Sequence, residues 1–341
     1  MAAPGYTPQG LRPGVECPVD PGNLPPNTKQ ITYFGERAAF SPDGKKIAFM
    51  DKSYGDAFEL DLETNRITLL THPQNAGFLR VQYLPNGDYV LIGSRSFVDI
   101  TTTRDTTQEL WVLKQGEINP IPLNHFIDEG VAISRKSAKI AWAINHDNYP
   151  GVLIEGETLI YTADVVYAKN GTPYLDNQKE VIRAWSPDCV LEPQDFRNDD
   201  NELIFICYRQ ITAEISLANM RGIDLNTGKI SVYRNVTNEY NEVEGIYPDG
   251  QYELVESSKG QIHPHGDDAI DIWKLKIEPH GTNFRRVTCF GSNVNGKSPI
   301  NKASNPVVSP NGHTIAFQAA IAGDPAGVGY GLFLLDRSET S

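Results

Sequence analysis

Two groups of side chains in this chain are of types that could do chemistry together. The first is the stretch Gln261-Ile-His263-Pro-His265-Gly-Asp267-Asp268. Neutral imidazoles two residues apart on an extended segment point the same way, and with an amide and carboxylates beside them they can share a metal ion. A solvated polar loop would carry the same residues. The second group is Glu36, Glu129, Glu192 and Glu242, each standing five residues before a turn that recurs along the chain. Leu79 and Ser304 fill the two remaining equivalent places. Carboxylates brought to one level repel unless a cation or an arginine compensates them. Oxygen ligands suit Ca²⁺ first, and Mg²⁺ or Mn²⁺ also accept them. Arg37, Arg80 and Arg209 are the alternative counter-charges.

The elements that must position these groups are announced by a repeated phrase. Arg37-Ala-Ala-Phe-Ser-Pro-Asp-Gly-Lys-Lys-Ile-Ala-Phe49 returns as Asn305-Pro-Val-Val-Ser-Pro-Asn-Gly-His-Thr-Ile-Ala-Phe317. Each reads as a short apolar strand, a Pro-Asp/Asn-Gly turn and a second apolar strand. Proline presets the first φ of the turn and glycine accepts a positive one. Six such turns align, at Ser41–Gly44, Leu84–Gly87, Ser134–Ser137, Arg197–Asp200, Tyr247–Gly250 and Ser309–Gly312; the third and fourth have lost both Pro and Gly. Third and fourth strands follow in most repeats, such as Phe58–Leu62 and Arg66–Leu70. The last repeat stops after its third strand, and a matching strand stands at the other end of the chain, Lys29–Phe34.

Repeated hairpins of this kind predict an all-β, six-bladed β-propeller whose N-terminal strand completes the C-terminal blade, leaving no open edge. Residues 29–336 would form that one domain, with a Pro-rich arm over 1–28 and a tail over 337–341. The glutamates then stand where the innermost strands begin, around the mouth of the central channel. Long second-to-third loops share that face, and function concentrates on such loops. Five of the seven histidines fall there: His72, His125, His146, His263 and His265. Tyr54, Phe97, Tyr149 and Tyr208 could stack on sugar rings from the same face, and Arg95 could meet an acidic group.

Composition excludes several function classes. A formal charge of −13 without Lys/Arg clusters argues against nucleic acid, and no apolar run approaches the ~20 residues that span a bilayer. No nucleophile elbow, P-loop or dinucleotide fingerprint occurs. The N-terminus lacks the basic and apolar regions of a signal peptide and reads as a mature secreted chain behind an added Met. Four cysteines and the sequons Asn170-Gly-Thr and Asn235-Val-Thr agree with a secreted glycoprotein.

Phe40-Ser-Pro-Asp-Gly-Lys-Lys-Ile-Ala-Phe49, the Asp-Leu-Glu-Thr turn and Ile67-Thr-Leu-Leu-Thr71 resemble the repeat of the TolB-like propellers, over roughly residues 29–336. That resemblance implies a ring of six blades, with seven as the alternative. Its members include translocation proteins, peptidase propeller domains and uronate-cleaving lyases. Those lyases hold a metal through a glutamine and several histidines, one pair being His-x-His, which Gln261, His263 and His265 resemble in part. The glutamine stands one residue closer here, and no third ligand is evident. On the blade scheme Cys189 and Cys207 lie near one rim, while Cys289 ends the outer strand of blade five and Cys17 lies in the Pro-rich arm before the closing strand of blade six. Bridges Cys189–Cys207 and Cys17–Cys289 fit, while spacing alone leaves the other pairings open.

The expected function is a metal-assisted lyase, monomeric, acting on an acidic oligo- or polysaccharide. A metal or Arg209 would neutralise the substrate carboxylate. His263 and His265 would serve as ligand or base and His146 and Tyr208 as base or acid, one of them taking the neighbouring proton as the glycosidic oxygen leaves by elimination. Two alternatives stand beside it: a non-catalytic binding or scaffold propeller, and a glycoside hydrolase using two of the channel glutamates.

Overall fold

A computed structural model of the chain describes residues 27–72, 76–128, 130–210, 216–237, 239–259, 270–288, 290, 302–321 and 327–337. Among them, six four-stranded antiparallel sheets form a ring, and the blades are six rather than seven. Blade one runs from its inner strand Glu36–Phe40 outward through Lys46–Met50, Ala57–Asp61 and Ile67–Leu69. Blade six is completed by the N-terminal strand Thr28–Gln30, whose register sets Thr28 against Leu335 and Gln30 against Phe333. The closing strand ends earlier than the sequence suggests; beyond it, the Ile31 N–H still bonds the Leu332 carbonyl at 2.8 Å.

Local chemistry explains the repeats. In the first turn the Gly44 N–H bonds the Ser41 carbonyl at 2.8 Å, Ser41 Oγ bonds Asp43 Oδ1 at 2.6 Å, and Gly44 has a φ of 71°. Only glycine takes that backbone conformation without steric cost. Blades three and four are four-stranded like the others despite their altered turns. Blade three is the longest-stranded, with Glu157–Tyr167 and Pro173–Trp185 forming its outer hairpin.

Strand alternation puts apolar residues on both faces of each sheet, and they bury against the neighbouring blades. Six apolar clusters result among the described residues, one for each interface around the ring. Their centres include Trp142 between blades two and three and Trp273 between blades four and five. The core therefore lies between blades, which leaves the channel lining free to be polar. No helix among the described residues is long and apolar enough to cross a membrane.

Candidate functional site

The loop-side mouth of the channel is built by interruptions in the inner strands. Register shifts occur at Glu36/Ala39, Phe78/Arg80, Pro193/Asp195, Val243/Gly245 and Ser304/Val307, in five of the six blades. Bulges re-aim side chains out of the strand ladder. Arg37, Gly130 and Asn305, at one equivalent place in blades one, three and six, all have positive φ. A Cβ on Gly130 would lie 2.4 Å from Glu192 Oε1, so the missing side chain makes room for that carboxylate.

Three carboxylates converge there. Glu242, Glu244 and Glu256 each offer an oxygen within 4.8 Å of the others. Glu244 accepts Arg80 Nη2 at 3.0 Å and Asn305 Nδ2 at 2.9 Å. Glu256 accepts the Asn305 N–H, and Glu242 accepts the Tyr240 hydroxyl and, at 3.4 Å, Gln194 Nε2. Burial, then the nearby Glu244 and Glu242, push the Glu256 carboxyl well above the usual carboxylate range. Glu36 accepts Ser53 Oγ at 3.1 Å, and Glu192 accepts the Tyr208 hydroxyl at 2.7 Å.

Of the expected metal ligands, Glu36, Glu192 and Glu242 stand at the starts of inner strands, as the turn alignment requires. Gln261, His263, His265 and Glu129 lie outside the described residues, as do Cys17 and Cys289. Cys189 and Cys207 form a disulfide. Sequence reasoning missed Glu244, Glu256 and Asn305. Glu256 was within reach, because the hairpin register fixed by the Tyr247–Gly250 turn sets it opposite Glu242.

Two expected roles need correction. Tyr208 is not a ready base: burial first, then Glu192 and Glu242, raise its phenol well above the usual value, so it keeps its proton. Tyr149 is not a stacking surface, since it is buried with its hydroxyl on the carbonyls of Ile127 (2.5 Å) and Gln108 (3.1 Å). Arg95 is committed to Glu109 through two bonds of 2.7 and 2.8 Å, with Asn124 Oδ1 a third partner. His125 packs edge-on to Trp142, and burial lowers its pKa. Tyr54 packs edge-on to Phe97, His146 Nδ1 lies 3.4 Å from Asp147, and His72 and Arg209 are exposed.

No family model matches the chain, and no curated protein matches it in sequence. Solved propellers match it in structure. TolB from Acinetobacter baumannii superposes at a TM-score of 0.52 with 11% identity, over 90% of this chain and 65% of TolB, so the chain spans about two thirds of that relative. Regucalcin from Agrobacterium tumefaciens, a calcium-binding protein, gives 0.53 with 13% identity over 90% and 92%. Oligogalacturonate lyase from Vibrio parahaemolyticus gives 0.48 with 12% identity over 92% and 94%, too distant to bear on activity. These likenesses show a fold shared with the TolB-like propellers and nothing finer.

Proposed function

We propose that this chain is a secreted propeller that binds a divalent cation at the loop-side channel mouth and uses it to act as a lyase on uronate-bearing glycans. The observation that supports it is the convergence of Glu242, Glu244 and Glu256 within 4.8 Å. An all-oxygen donor set suits Ca²⁺ before Mn²⁺. The residues fit such an ion: without one, Glu256 is driven towards its protonated form by burial and by its two neighbours. The calcium-binding regucalcin shares the fold, and the Cys189–Cys207 disulfide agrees with an oxidising compartment outside the cytoplasm.

A bound cation would neutralise the uronate carboxylate and make the adjacent C–H more acidic. The chain's own residues would then supply proton transfer. Tyr208 keeps its proton and donates it to Glu192 at 2.7 Å, so it orients that carboxylate rather than taking the substrate proton. His146, on a long loop of the same face, would act as acid or base.

A second reading is a binding propeller without turnover. Regucalcin, a calcium-binding protein, shares the fold at a TM-score of 0.53, which supports it. One pair of measurements separates the two. Calcium titration calorimetry should show binding that is lost in Glu242→Gln and Glu256→Gln; no heat from the unaltered protein would remove the cation. Ultraviolet absorbance over a panel of uronate polysaccharides, with and without chelator, should rise as the unsaturated product forms. A flat trace with calcium bound leaves the binding reading.

A further inference from the structure

The inner strands of blades two and five face each other across the channel, three blades apart in either direction around the ring. Arg80, from blade two, and Glu244, from blade five, nevertheless form an ion pair at 3.0 Å. Their side chains are 8% and 4% exposed, so the pair is a buried bar across the axis. Both residues stand at bulges, which is how two strands on opposite walls aim side chains at the same point. Asn305, from blade six, holds the other oxygen of Glu244.

Arg80 contacts Glu244 through Nη2 alone. That is half of what a guanidinium fork makes with a carboxylate. Glu242 and Glu256 stand within 4.8 Å of Glu244, and Lys302 offsets Glu256 in part. As long as Arg80 is spent on Glu244, its charge is not offered to the carboxylate of a glycan.

We infer that Arg80 is the specificity-determining residue for the ligand's carboxylate, held by Glu244 until a divalent cation takes that carboxylate over. The inference rests on the cation reading above and names the residue that gives it a preference for uronates. Cation and guanidinium compete for Glu244, so binding of the ion releases Arg80. The freed fork then grips the uronate in two-point fashion while the cation offsets the glutamates. A neutral sugar gains nothing from the exchange.

The test uses calcium titration on the full chain, followed by binding of a uronic-acid trisaccharide and its methyl ester with and without calcium. Arg80→Gln should bind calcium about tenfold or more tightly than the unaltered protein, because a like charge a few Å from the ion is removed. It should also lose the preference for the acid over the ester. Arg80→Lys keeps the charge and the cross-channel pair without the fork; it should keep the ordinary calcium affinity and still lose most of the preference. Thermal unfolding of both variants shows that the ring is intact. Unchanged calcium affinity in Arg80→Gln, or an undiminished preference for the acid, overturns the inference. Absence of calcium binding in the unaltered protein overturns the cation reading and the inference with it; calcium binding with an undiminished preference in Arg80→Gln overturns the inference alone.

Discussion

The two ends of the channel are built on opposite electrostatic plans. At the turn side an open cavity of about 590 Å³ is lined by charges that already have partners. Arg135 meets Asp195 at 3.0 Å, Lys136 meets Asp199, and Asp200 takes the hydroxyls of Ser134 and Ser137. Arg197 meets Glu202 at 2.9 Å. Further along the channel Glu242 and Glu256 crowd against Glu244, carboxylate on carboxylate within 4.8 Å. Opposite charges in pairs fix blades to one another, whereas like charges in contact push the Glu256 carboxyl up and favour a cation between them.

Breaking the turn side should cost the most stability. Asp195 is buried in blade four, accepts Arg135 from blade three and the Ile246 N–H of blade five at 3.1 Å, and also takes the Phe196 N–H at 2.8 Å. One carboxylate thus staples three blades. Asp195→Ala strands two buried N–H groups and an arginine, so a loss of about 3 kcal/mol is expected in denaturant unfolding. A loss under about 1 kcal/mol would show that water replaces those bonds and that the pairing is incidental.

The loop side should respond in the opposite sense. A carboxyl whose pKa is raised in the folded chain gives stability that is present at low pH and lost as pH rises through the folded value. Glu256 is such a group at the loop side. Glu253, fully buried in the same hairpin with neither oxygen hydrogen-bonded, and Asp195 add to the same slope from the turn side, beside Arg197 and Glu202. In calcium-free buffer the chain should therefore lose stability as pH rises above the usual carboxylate range. Glu256→Gln should flatten that slope and raise stability at neutral pH by about 1–2 kcal/mol. With calcium, the unaltered protein should gain and the variant should not. Identical pH profiles for the two would mean that the cluster is relieved by some other means.

Much of the ring was legible because it depends on local chemistry. The Ser41–Gly44 and Ser309–Gly312 turns and the closing strand follow from residue type and spacing, and the Cys189–Cys207 bridge is the pairing that the blade scheme favoured and spacing alone left open. Glu36, Glu192 and Glu242 were legible for the same reason, as a turn fixes the distance back to the strand start. Arg80 and Glu244 are separated by 164 residues, and nothing in either segment announces the other. Only closure of the ring makes them neighbours. Tyr149 misled because a loop position says nothing of whether a ring folds inward, and here two carbonyls waited beneath it. The lost Pro and Gly of turns three and four are a matched exchange, since Asp200 of one turn takes the hydroxyls of Ser134 and Ser137 of the other.

That exchange gives the smallest and sharpest test of the turn side. Asn198, Asp199 and Asp200 run at φ values of 53°, 56° and 62°, a conformation that costs non-glycine residues about 1 kcal/mol each. Asp200 occupies the place that glycine holds in the regular turns. It accepts Ser134 Oγ at 2.7 Å and Ser137 Oγ at 2.7 Å, from the other altered turn. Asp199 has only the exposed Lys136 for a partner. Glycine should therefore act differently at adjacent positions with nearly the same φ. Asp199→Gly relieves strain and loses a surface pair of little worth, so stability should rise by about 0.5 kcal/mol. Asp200→Gly relieves the same strain but strands two buried-side hydroxyls, so stability should fall by about 1 kcal/mol. Ser134→Ala combined with Asp200→Gly should then cost less than the two single losses added together. Additive losses would mean that the two turns changed independently.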